Sequence, residues 1–73
     1  MTIIQTSKTL GMLIKKARKS QGLTQEQLAS LSGVGRRFVI DLEAGKESGH
    51  VSKILEVIAM LGIELIWQQK GGS

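Results

Sequence analysis

Apolar residues recur at helical spacing through four stretches of the chain and then alternate near its end. In TLGMLIKKARKSQG, Leu10, Leu13, Ile14 and Ala17 fall on one helical face. Lys15, Lys16, Arg18 and Lys19 lie largely off that stripe, and Gly22 suits a helix end. The pattern predicts a first amphipathic helix with a basic outer face. In LTQEQLASLSG, Thr24 is an N-cap candidate and Gln27, three residues on, completes a capping box, with Leu28 and Ala29 facing inward. Gly33 ends this short helix, and GVG leaves only a tight connection, with Gly35 as the next N-cap. RRFVIDLEA then runs helically to Gly45, with Val39 and Leu42 as its inward pair. A loop capped at Ser48 leads to a fourth helix with the stripe Val51, Ile54, Leu55, Ile58 and Leu61, closed by Gly62. In IELIWQQ the period changes: Ile63, Leu65 and Trp67 alternate with Glu64, Ile66 and Gln68, as in a strand. A lone strand leaves its backbone groups unsatisfied, so it needs a partner, either its symmetry mate or TIIQ at the N-terminus.

These elements divide the chain into an N-terminal arm (1–8), a four-helix domain (9–62), a strand for dimerisation (63–70) and a loose tail (71–73). The 73 residues make one domain, which at this size buries only about 60% of its unfolded surface. The aromatics are Phe38 and Trp67, so aliphatic side chains build nearly all the core, and dimerisation is one way to recover missing burial. With no cysteine there is neither disulfide nor thiolate chemistry. No apolar run approaches the roughly 18 residues of a membrane span, and the charge in MTIIQTSK follows its apolar stretch, the wrong order for a signal peptide. A cytoplasmic protein is expected.

Ten Lys and Arg against six Asp and Glu give a net charge of +4, which favours nucleic acid as a partner. Two short helices joined by a glycine-containing turn describe a helix-turn-helix, whose second helix enters the DNA major groove. Ala29 is small enough for close crossing, and Gly33 can take the positive φ of the turn. Arg36 and Arg37 stand at the start of the second helix, where positive charge opposes the helix dipole. A DNA partner gives that local conflict a reason, because arginine bonds bidentately to guanine O6 and N7 or holds a phosphate. Catalysis is not expected: there is one histidine without a neighbouring nucleophile, no metal-ligand cluster, and AGKESG lacks phosphate-loop spacing. No cofactor is expected.

GLTQEQLA, the turn Gly33 and DLEAGK resemble the Cro/C1 (Xre-like) repressor family over about residues 9 to 62. That resemblance implies an all-α, lambda-repressor-like domain of four helices. It also implies DNA base contacts from Arg36, Arg37 and Asp41. Phosphate contacts come from Gln25 and its neighbour Thr24 and from the loop carrying Gly45 and Lys46. Arg18 and Glu43 are implied as an ion pair fastening the first helix to the third. Alternatives stay open for two of these residues: Asp41 either reads a base or pairs with Arg37, and Gln25 either touches phosphate or caps its helix.

Three departures stand out. Ser32 precedes the turn glycine where the family has a bulky aliphatic residue, so packing there is either looser or restored by Leu31 one place earlier. Gly35 replaces the common Ser or Thr cap, which predicts a frayed start to the recognition helix without DNA. Phe38 and Ile40 leave apolar side chains beside the arginines, where exposure is expected.

A Cro/C1-like domain followed at once by a short apolar strand is similar to the HipB-type antitoxins, with Ile63, Leu65 and Trp67 in the dimer strand. The resemblance implies a homodimeric repressor of a palindromic operator, and a HipA-like kinase toxin as partner in a toxin–antitoxin operon. The competing readings are a protein-interaction module that neutralises a toxin with little DNA binding, and a stand-alone phage-type regulator.

Overall fold

The computed structural model describes residues 6–65 as four α-helices: α1 (Ser7–Ser20), α2 (Gln25–Ser32), α3 (Arg36–Glu43) and α4 (Val51–Met60). α1 begins two residues ahead of the expected domain boundary, because the Thr6 hydroxyl accepts a hydrogen bond from the Thr9 N–H (3.1 Å) and caps the helix there. At α2 both halves of the capping box form: the Gln27 N–H donates to Thr24 Oγ1 (3.0 Å), and the Thr24 N–H donates to Gln27 Oε1 (2.8 Å). Gly33 turns the chain out of α2 at φ 71°, and the Val34 N–H closes back on the Ala29 carbonyl (3.0 Å). α2 and α3 are thus set at a fixed angle by a turn that an L-residue enters only with strain.

Ile14, Leu28, Ala29, Val39, Leu42, Val57, Ile58 and Leu61 form the buried core. Each helix contributes, and Ile14, Leu28, Val39 and Val57 are completely enclosed. Every such side chain removes apolar surface from water at about 25 cal/mol per Å2. The fourth helix corrects the sequence reading. Val57, absent from the expected stripe, is fully buried, whereas Val51 and Leu55 are 61% and 46% exposed. α4 packs against α2, and that contact turns the Ile54–Val57–Ile58–Leu61 face inward. Its start also differs: the N-cap is His50, and Ser48 Oγ accepts the His50 N–H (3.1 Å) instead of capping the helix.

The expected C-terminal strand is not supported among the described residues. The Gly62 N–H donates to the Ala59 carbonyl and the Ile63 N–H to the Ile58 carbonyl, a left-handed closure of α4 around Gly62. Ile63 is therefore committed to the helix end, and its side chain packs against the core. Glu64 and Leu65 carry no strand pairing, while Ile66 and Trp67 lie outside the described residues. Among the described residues no helix is long and apolar enough to cross a membrane.

Ser32 is buried and Leu31 is 53% exposed, so Leu31 does not refill the position before the turn. The Ser32 hydroxyl is enclosed without a hydrogen-bond partner. Leaving such a group unsatisfied costs about 1–3 kcal/mol, and alanine removes it at nearly constant shape. Ser32→Ala is expected to raise stability by about 1 kcal/mol, read as a higher urea midpoint at unchanged slope. A lower midpoint shows that the hydroxyl contributes a contact that alanine lacks.

Candidate nucleic-acid interface

The core holds α3 by its inner face, Val39 and Leu42, and leaves the opposite side to solvent. Its C-terminal end is fixed by charge. The Glu43 carboxylate receives Arg18 Nε at Oε2 (2.7 Å) and Arg18 Nη2 at Oε1 (3.0 Å), with both side chains under one-tenth exposed. Arg18 Nη1 donates onward to the Leu23 carbonyl (2.8 Å), and Gln25 Nε2 donates to Glu43 Oε1 (3.3 Å). One buried network therefore joins α1, the α1–α2 connection, α2 and α3. A planar guanidinium suits this place because its fork satisfies both carboxylate oxygens and a third acceptor at once.

At the other end of α3, Gly35 provides no side-chain cap, and the first turn contains no acidic residue. Arg36 and Arg37 are both exposed there, Arg37 with 75% of its side chain accessible. Two guanidinium groups thus project from the exposed N-terminal turn of a short helix whose opposite end is locked. Phe38 and Ile40, expected to be exposed, are half-buried. Phe38 packs against the core under the Lys53 ammonium, 5.8 Å from the ring centroid.

Asp41 lies one turn beyond Arg37. Its Oδ1 is 3.3 Å from Arg37 Nε and 3.4 Å from Lys46 Nζ. Sequence spacing shows the first contact but not the second, which arises because the chain turns back at Gly45. There the Lys46 N–H donates to the Asp41 carbonyl (3.0 Å), folding Lys46 over the last turn of α3. Of the residues implied in phosphate contacts, Thr24 is exposed at the start of α2 and Lys46 is exposed beside α3. Gln25 is half-buried and turned toward Glu43. Among the described residues no group of three or more His, Cys, Asp and Glu side chains is placed to hold a metal ion.

Such an arrangement offers fixed cations and hydrogen-bond donors to an anionic surface. Comparison with known proteins gives the family. The helix-turn-helix family matches residues 14–68. An uncharacterized HTH-type transcriptional regulator of Sinorhizobium fredii, y4mF, is 44% identical over 62 residues, covering 85% of this chain and 82% of that protein. Another, from Methanothermobacter thermautotrophicus, is 43% identical over 54 residues, 74% of this chain and 78% of its own length. Among solved structures, the restriction-modification controller protein C.AhdI from Aeromonas hydrophila is similar at a TM-score of 0.71 and 34% identity, over 80% of this chain and 84% of that one. A chain of the HipA-HipB-O2-O3 complex shares the fold at a TM-score of 0.85 over 97% of this chain and 100% of its own, at 17% identity. On the strength of its locked α2–turn–α3 unit and of these likenesses, the chain belongs to the Cro/C1-type helix-turn-helix family and is a transcriptional regulator of that type.

Proposed function

We propose that the chain is a sequence-specific repressor that binds a palindromic operator as a homodimer, each copy setting α3 in the major groove. The observation that carries this reading is the pair of exposed arginines at the N-terminal turn of α3, on a helix whose other end is locked by Arg18–Glu43. Arg36 and Arg37 reach base edges, with Asp41 beside them. Thr24, Gln25 and Lys46 meet phosphates, Gln25 through the amide proton not engaged with Glu43. Half-sites in such complexes lie about 34 Å apart, or a multiple of that, along the duplex.

The role is that of antitoxin and autoregulator in an operon with a HipA-like toxin. Supporting it is the fold shared over nearly the whole chain with a component of the HipA-HipB-O2-O3 complex. The 34% identity to the controller protein C.AhdI favours a second reading, a regulator that works without a toxin. A kinase-like neighbouring gene whose product co-purifies with this chain supports the first; a chain that represses its own promoter with no such partner supports the second.

Binding to a labelled duplex from the gene's upstream region, against a random-sequence duplex at several salt concentrations, tests the DNA reading. Arg36→Ala is expected to weaken the upstream complex by about 1–3 kcal/mol and to relax its specificity. Lys46→Ala is expected to weaken the upstream complex and to reduce its salt slope by about one phosphate contact. Equal binding of the unmodified chain to both duplexes refutes the repressor reading.

A further inference from the structure

Asp41 is the one acidic side chain among the described residues that touches the exposed cations around α3, and it touches two of them through the same oxygen. That oxygen is enclosed, with no hydrogen bond of good geometry, so the two cations are what compensate its charge. A carboxylate amid the positive charge of a DNA-binding face repels phosphate, so its presence there calls for an explanation. The geometry of the contact supplies one. Asp41 engages Arg37 through Nε, along the edge of the guanidinium, and the other two guanidinium nitrogens are left for a partner.

We propose that Asp41 is a specificity-determining positioning residue: it clamps Arg37 and Lys46 against α3, aims Arg37 at a base edge, and withholds both cations from DNA that offers only phosphates. This deepens the repressor reading and rests on it. On the operator, Arg37 reaches its base with the Nε contact to Asp41 intact, and Lys46 has a phosphate in register. On random DNA the two side chains must swing to wherever phosphates lie, and Asp41 loses both of its counter-charges. The penalty therefore falls on non-specific complexes, which depend almost wholly on such phosphate contacts.

Asp41→Asn removes the charge and keeps the shape. Glu56→Gln, an equal change in net charge on the exposed surface of α4 and in no ion pair among the described residues, is the control. With a random-sequence duplex, Asp41→Asn is expected to bind roughly three- to tenfold tighter than the unmodified chain, with a salt slope steeper by about one phosphate contact. The upstream duplex gains less, so the ratio of the two affinities falls, while Glu56→Gln leaves that ratio unchanged. Thermal unfolding of both variants checks that the fold is intact. The proposal is overturned if Asp41→Asn matches Glu56→Gln on both duplexes. It is equally overturned if Asp41→Asn loses affinity only for the upstream duplex, the signature of a direct base reader. Should the unmodified chain fail to discriminate the duplexes at all, the repressor reading fails first and takes this proposal with it.

Discussion

Glu43→Ala is expected to destabilise the protein by about 3–5 kcal/mol, the cost of leaving a buried charge without its partner. Arg18 is the group left behind. Its guanidinium is buried and directs two of its three nitrogens at the Glu43 carboxylate, with Leu23 as its other acceptor. A domain of this size has a total stability of roughly 4–11 kcal/mol, so the variant loses from about a quarter to all of it and its unfolding midpoint falls steeply. Thermal and urea unfolding followed by circular dichroism measure the effect. The double variant Arg18→Met with Glu43→Leu separates a stranded charge from a missing tether. Replacing both partners by apolar groups of similar volume is often neutral or stabilising, so it is expected to recover most of the loss. If the double variant is as unstable as Glu43→Ala, the destabilisation comes from lost packing geometry and not from the uncompensated Arg18.

That pair also shows what the sequence could and could not disclose. Nothing in spacing or periodicity links two residues 25 positions apart; the pair entered through a family resemblance, and the structure shows its geometry. Local chemistry was readable where it is local. Thr24 with Gln27, Gly33 at the turn and the Val39–Leu42 face all follow from contacts within a few residues. α4 defeated the same method for a physical reason. Val51, Ile54, Leu55, Val57, Ile58 and Met60 surround the helix on more than one side, so period alone does not select a face. Packing against α2 makes the selection, and it leaves Val51, Leu55 and Met60 outside. IELIWQQ is a different case, since only its first three residues are described. Its alternation is genuine, but the first of its apolar residues is already used to close α4. At the interface, the two arginines were legible from their conflict with the helix dipole. The contact of Lys46 with Asp41 was not, because it depends on how the chain folds back after α3.

Gly11→Ala is expected to lower stability by about 2–4 kcal/mol, although alanine is the better helix former. In an exposed helical position the same change gains about 1 kcal/mol. Gly11 lies inside α1 and is buried where that helix crosses the C-terminal end of α3. A Cβ placed there runs into the Leu42 carbonyl oxygen and comes within 2.8 Å of the Glu43 carbonyl oxygen. Both obstacles are backbone, so no rotamer change clears them; α1 and α3 have to separate. Separation pulls at Arg18 and Glu43, whose short hydrogen bonds depend on the same close approach. It also shifts the helix that carries Arg36 and Arg37. Loss of stability and loss of discrimination between upstream and random duplexes are therefore expected together, the second persisting at temperatures where Gly11→Ala is still folded. Ser20→Ala, an exposed substitution at the end of the same helix, is the comparison and is expected to change neither by much. A Gly11→Ala protein as stable as its parent shows that the two helices can part without loss, and that the crossing does not fix the placement of α3.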